Sequence, residues 1–139
     1  MKKKVLVLPG DGIGSEVCDA ALMVLEQFQL PIELTYGDIG WECWKQGGDP
    51  VPQATWQKIN ECDAVLLGAV TSKGKKAALK ELALHLQERQ FTYVSPVIQL
   101  RQKLGLFLLM CALSDTLLVR ESLFIFVLSG KIAKVYTQG

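Results

Sequence analysis

Val5-Leu6-Val7-Leu8-Pro9-Gly10-Asp11-Gly12-Ile13-Gly14-Ser15-Glu16-Val17 is the stretch on which the fold of this sequence turns. Its first four residues form a short β-branched and leucine run that Pro9-Gly10 ends, the pattern of a buried parallel strand opening an α/β unit. From Ser15 onward Val17, Ala21, Val24, Leu25 and Phe28 recur at helical spacing, while Glu16, Asp19, Glu26 and Gln27 cover the other side. A strand leading into an amphipathic helix is therefore expected, and Pro31 stops it. Glycines in the connecting turn suggest a dinucleotide site, because they let backbone amides approach a pyrophosphate at a helix amino-terminus. The spacing does not fit the Rossmann pattern, which needs a third glycine where Ser15 stands and an acidic residue at the end of the next strand, where Asp38 comes late. A tight turn of small residues and a direct phosphate contact both remain open on these residues alone.

Outward from this unit, Ile32 to Tyr36 alternates as a second strand, and Gly37, Gly40 and Gly47-Gly48-Asp49-Pro50 mark turns around a short helix from Trp41 to Lys45. Pro52 sits where a first-turn proline is tolerated, so Gln53 to Asn60 reads as a helix leading to a third strand, Ala64 to Leu67. Thr71 to Lys76 is polar and basic, which predicts a mobile loop. Ala77 to Arg89 has helical composition with an apolar set at Leu79, Leu82 and Leu86. Ser95-Pro96 then opens another helix, serine as cap and proline in the first turn. Strands alternating with helices imply an α/β fold with a mainly parallel sheet covered on both faces.

The 139 residues suffice for one domain with a real core, and half of them are hydrophobic. Fifteen basic and fourteen acidic residues leave a net charge of +1, which gives no broad footprint for nucleic acid or an anionic membrane. Cys18, Cys43, Cys62 and Cys111 are far apart, form no C-x-x-C pair and have only His85 as an imidazole companion, so they read as reduced thiols rather than a zinc site. Lys2-Lys3-Lys4 before Val5 to Leu8 imitates a secretion signal, but Pro9-Gly10-Asp11-Gly12 interrupts it, and a cytoplasmic location is expected.

After Gly105 the texture changes. Leu106 to Leu113, Thr116 to Val119 and Leu123 to Leu128 are apolar runs with almost no turn chemistry between them. Asp115, Arg120 and Glu121 interrupt them, which argues against a membrane span and for buried strands.

Three motifs in order carry a family resemblance. Leu8-Pro9-Gly10-Asp11-Gly12-Ile13-Gly14-Ser15-Glu16-Val17 resembles the opening of the isocitrate and isopropylmalate dehydrogenases, the metal-dependent β-decarboxylating dehydrogenases. Cys62 to Val70 resembles that family's third strand, and Leu100-Arg101-Gln102-Lys103-Leu104-Gly105-Leu106-Phe107 its substrate-site helix running into the next strand. The resemblance covers residues 1–107 and implies the amino-terminal part of the family's three-layer fold, with 108–139 as a diverged or rearranged segment. It also implies that the glycine-rich turn lies beside a nicotinamide cofactor near Ile13, and that Thr71 and Ser72 approach the nicotinamide end. Arg101 would belong to the arginine cluster that grips substrate carboxylates, a task suited to a planar, permanently charged fork. Ser95 stands at the offset of a substrate-contacting serine, and Arg120 would be a further substrate arginine.

The match then breaks. Where the family continues with an Ala-Asn-x-Arg-Pro turn, this chain has Leu108-Leu109-Met110-Cys111-Ala112. Asp115 to Glu121 resembles a motif that belongs farther along, and Ser122-Leu123-Phe124-Ile125-Phe126-Val127-Leu128-Ser129-Gly130 stands where the family has Asn-Thr-Glu-Gly-x-Tyr-Ser-Gly, with a leucine in place of the tyrosine that assists proton transfer. The family's catalytic lysine, its metal-binding aspartates and the cofactor's adenosine loop have no counterpart in these 139 residues. The resemblance therefore implies a truncated member of the NAD-dependent family, inactive as this chain, with no catalytic residue and no metal ligand of its own. NAD and magnesium or manganese belong to the full-length relatives, and no tight binding of either is expected here. The alternative is a non-catalytic subunit that pairs with a full-length homologue. A small hydroxyacid is the implied ligand; a homo-oligomer or such a pairing is the implied assembly, with neither nucleic acid nor membrane as partner.

Overall fold

The computed structural model describes residues 2–87 and 89–104. Its elements run β1 (Lys3–Gly10), α1 (Gly14–Gln27), β2 (Ile32–Tyr36), α2 (Trp41–Gly47), α3 (Gln53–Glu61), β3 (Ala64–Ala69), α4 (Lys75–Lys80), a single 3-10 turn (Leu84–Leu86) and α5 (Pro96–Leu104). The strands form one parallel sheet in the order β2-β1-β3. Val5 pairs with Leu34 on one side and with Ala64 on the other, which sets the register of the central strand. The foot of the sheet is tied by Asp63, whose carboxylate accepts from the Lys3 ammonium at 2.8 Å and the Lys4 amide at 2.9 Å.

Side chains alternate across β1 and β3 and so feed two cores. Leu6, Leu8, Val65 and Leu67 point to one face, where Ile39, Val51, Ile59 of α3 and Leu100 of α5 cover them. Val7 and Leu66 point to the other, against Cys18 and Leu22 of α1. The result is three layers, α3 and α5, the sheet, and α1, as an α/β fold with strands buried on both sides requires. A third cluster lies apart from the sheet: Trp41 and Trp44 of α2 pack with Ala78, Leu82, Leu86 and Tyr93. Among the described residues no helix is long and apolar enough to cross a membrane.

Three expectations from the sequence need correcting. The buried side of α1 is Gly14, Cys18 and Leu22, whereas Val24 and Phe28, expected to face the core, are 58% and 66% exposed. The cause is a close approach at the amino end of the helix. A Cβ at Gly68 of β3 would lie 2.8 Å from the Gly14 carbonyl oxygen and 3.1 Å from Cys18 Sγ, so two facing glycines draw this side of the helix onto the strand. Small residues, not the largest apolar ones, thus choose the contact face.

The helix expected from Ala77 to Arg89 is instead α4 followed by the 3-10 turn. Ala83 is extended (φ −55°, ψ 141°), and its N–H donates to the Lys45 carbonyl at 2.9 Å rather than to its own helix. Helix α4 also begins at Lys75, inside the stretch expected to be loop. The apolar runs between Leu106 and Leu128 lie outside the described residues.

The rotation of α1 has a measurable consequence. Leu22→Ala is expected to cost about 2–4 kcal/mol of unfolding free energy, whereas Phe28→Ser should change it by no more than about 0.5 kcal/mol. Chemical denaturation of the two variants checks this, and the reverse order would return Phe28 to the core.

Candidate functional site

Strand β1 is followed by α1 on the Val7 face, while α5, the long helix downstream of β3, packs on the Leu6–Leu8 face. These two neighbouring strands are covered by helices on opposite faces, so the place beyond their carboxyl ends, where a parallel α/β sheet forms its crevice, is the switch point of the sheet. Its two lips are the turn from Pro9 to Ile13 and the loop from Val70 to Gly74. Parallel α/β sheets bind ligands at such a switch point.

The lips are joined by Asp11. Its backbone N–H donates to the Ala69 carbonyl at 2.7 Å. Its carboxylate accepts the Trp41 amide with both oxygens at 2.8 Å, the Thr71 amide through Oδ2 at 2.8 Å, and the Glu42 amide at 3.4 Å. The side chain therefore caps the start of α2 from a distant turn and anchors the opposite lip with the same charge. Gly40 makes the approach possible: its φ of 116° suits glycine, and a Cβ there would collide with the Asp11 carboxylate. The turn is also engaged from within, since the Gly14 N–H donates to the Asp11 carbonyl at 3.0 Å. A turn whose acidic residue and amides serve the protein's own backbone is built as a structural junction rather than as a pyrophosphate cradle.

Of the residues expected at a site, Ile13 caps α1 on the first lip and is 53% exposed, so its side chain is presented to solvent. Thr71 is half-buried on the second lip and Ser72 beside it is exposed. The Asp11–Thr71 bond brings these two lips together. Ser95 is half-buried just before α5, and its carbonyl accepts the Gln99 N–H at 3.0 Å. Arg101 is exposed on α5, whose Leu100 enters the core under the sheet. Arg101 follows Ser95 by six positions, and Ser95 stands before the first residue of the helix that carries Arg101. Arg120 lies outside the described residues. Asp38 falls beyond the end of β2, and its carbonyl accepts the Thr55 hydroxyl at 2.6 Å.

Sequence reasoning missed Asp11 and a second group beside it. Glu81 accepts the Trp41 indole N–H at 2.6 Å with one oxygen and the Lys73 ammonium at 2.6 Å with the other. Lys73 lies over the Trp41 ring at 4.7 Å. The Lys73 hydrogen bond, then that of Trp41, holds the Glu81 carboxyl below its ordinary range. Only the alternation of glycine with an acidic residue in the first lip hinted at the former, and no local pattern announced the latter. Among the described residues, no three His, Cys, Asp or Glu side chains stand close enough together to hold a metal ion. Those present do not fit the divalent cation of a decarboxylating dehydrogenase, which needs several oxygen ligands.

The fold is that of a parallel α/β domain, and comparison with known proteins narrows this. The model of the isocitrate/isopropylmalate dehydrogenase family matches residues 4–123. The chain belongs to that family. It is 56% identical over 104 residues to the protein DlpA of Legionella pneumophila, covering 75% of this chain and 17% of that protein. It is 40% identical over 94 residues to a 3-isopropylmalate dehydrogenase of Archaeoglobus fulgidus, covering 68% of this chain and 28% of that one. The crystal structure of a β-decarboxylating dehydrogenase from Thermococcus kodakarensis superposes with a TM-score of 0.59 at 31% identity, over 76% of this chain and 27% of that one. The chain thus spans less than a third of the length of each.

Cys43 of α2 offers a pH test of the packing behind the first lip. Burial, reinforced by the charges of Asp38 and Asp11, pushes its thiol up to about 11. Its alkylation at neutral pH is expected to be about tenfold or more slower than that of an ordinary thiol. The rate should still be climbing at about pH 10. Peptide mapping after iodoacetamide treatment checks it; a plateau at or below the ordinary cysteine range would contradict the burial.

Proposed function

We propose that this chain is the amino-terminal share of an NAD-dependent decarboxylating dehydrogenase acting on a hydroxyacid of the malate type, and that by itself it does not catalyse the reaction. The supporting observation is the family match over residues 4–123 in a chain that covers 28% of an isopropylmalate dehydrogenase. Residues 1–107 supply the α/β part of the fold and 108–139 a diverged segment. Ile13 on one lip and Thr71 and Ser72 on the other face the nicotinamide cofactor; Ser95, Arg101 and Arg120 meet the substrate's hydroxyl and carboxylates. Arginine suits that role because its guanidinium stays charged and grips a carboxylate with two parallel bonds.

In the full-length family a divalent ion polarises the hydroxyacid and stabilises the enolate left when carbon dioxide departs. In this reading the chain supplies two loops beside the cofactor and part of the carboxylate grip, and among the described residues no group of side chains gathers to hold that ion. Without that ion, hydride transfer and decarboxylation would lack their main electrostatic support. The protein is read as cytoplasmic, like an ordinary metabolic enzyme.

A second reading, a non-catalytic subunit that docks on a full-length homologue, is favoured by one observation. Met23, Val24, Phe28 and Leu30 are all exposed near the end of α1, an apolar group of the sort that marks interaction surfaces.

Assay of the purified chain with isocitrate or isopropylmalate, NAD and manganese is expected to give no NADH above the no-enzyme rate. Metal-dependent NADH formation that survives repurification would overturn the proposed inactivity. Co-expression with a full-length isopropylmalate dehydrogenase separates the two readings: a stable mixed complex on size exclusion, weakened by Phe28→Asp, supports the subunit, and elution apart supports the solitary fragment.

A further inference from the structure

The second lip has little to hold it. Between the end of β3 at Ala69 and the start of α4 at Lys75 the backbone follows no regular structure. Helix α4 is six residues long, too short to be stable alone. One tether is the Asp11–Thr71 bond. The other is a closed triangle in which each member touches both others. Glu81, at the carboxyl end of α4, binds the Lys73 ammonium and the Trp41 indole, each at 2.6 Å, and Lys73 lies over the same indole.

Trp41 makes this triangle more than an ordinary surface ion pair. It is 5% exposed and packs edge-on against Tyr93, with ring centroids 5.4 Å apart, inside the α2–α4 core. Its neighbour Trp44 donates its indole N–H to the Ala78 carbonyl at 2.7 Å, which fixes α4 to α2. Glu81 is therefore held by a rigid, buried donor, and its second oxygen is aimed at the loop. A carboxylate oriented in this way loses less side-chain freedom on binding an ammonium than two mobile surface groups would. Lys45 of α2 adds positive charge near Glu81 and is itself paired with Glu42 at 2.5 Å, so Lys73 is the cation that closes the triangle.

We propose that Lys73, Glu81 and Trp41 form a latch that positions the loop of residues 71–74 as the second lip of the crevice. The three are positioning residues, acting on a cofactor through the loop. That last consequence rests on the proposed reading of Thr71 and Ser72 as cofactor-facing; the latch itself does not.

Amide hydrogen exchange on the full chain tests it. In Lys73→Met the amides of residues 72–74 are expected to exchange on the order of tenfold faster, with those of β1, β3 and α1 unchanged. Lys73→Arg keeps the charge and can stack on the indole, so it should restore slow exchange. Glu81→Gln, which retains an acceptor for Trp41 but not the charge, should resemble Lys73→Met. Unchanged exchange at residues 72–74 in Lys73→Met, acceleration spread through the whole chain, or failure of Lys73→Arg to rescue would each overturn the latch. Saturation-transfer NMR with NAD separates the two layers. A nicotinamide signal that weakens in Lys73→Met and returns in Lys73→Arg supports both. The expected exchange pattern with no NAD signal in the unmodified chain leaves the latch standing and removes the cofactor reading.

Discussion

The carboxylate of Asp11 meets backbone N–H groups from two segments remote from it in sequence, at Trp41 and Thr71, while the amide of the same residue is bonded to Ala69. One side chain thereby fixes the turn after β1, the start of α2 and the loop after β3 relative to one another. Hydrogen bonds to a charged acceptor are stronger than neutral ones and lose more when the acceptor is removed. The rest of the region is arranged around this junction. Gly40 gives up a side chain to let the carboxylate in, α2 receives its cap from outside its own sequence, and the two lips of the crevice share an anchor. The lip after β3 then needs only one further hold, which the Trp41 indole organises through Glu81 and Lys73.

Much of the fold was legible because the buried strands leave strong local marks. Continuous apolar runs at Val5–Leu8 and Ala64–Leu67, each bounded by turn residues, lie within β1 and β3, and the alternating segment Ile32–Tyr36 is β2. The helices at Trp41 and Gln53 follow from the glycine and proline that precede them. What escaped was decided between elements. The contact face of α1 depends on Gly14 meeting Gly68, a contact between residues 54 positions apart that no periodicity within the helix records. The break after α4 depends on the Lys45 carbonyl recruiting the Ala83 amide, a bond that helical composition over 77–89 argues against.

The candidate site divides along the same line. The turn after β1 was legible from its glycines and most of the loop after β3 from its polar composition, while their link to a cofactor came from family resemblance alone. Asp11 was not legible, because an acidic residue between two glycines reads as ordinary turn chemistry until its partners at 41 and 71 are known. Trp41, Glu81 and Lys73 were passed over for the same reason: an indole, a carboxylate and an ammonium spread over 40 residues make a site only after folding. Ser95 and Arg101 gained a role from family resemblance rather than from their own chemistry, as an arginine on an exposed helix face is most often simply solvated.

A dehydrogenase that expels carbon dioxide needs its cofactor, its hydroxyacid and a divalent ion in one place, and among the described residues no carboxylates gather to hold the ion. Electron paramagnetic resonance of manganese tests the proposed lack of a metal site directly. With isopropylmalate or isocitrate present, the spectrum of free manganese should keep its full amplitude as the chain is added in excess. Stoichiometric quenching of that signal by the chain would show a complete metal site within these 139 residues and contradict the account.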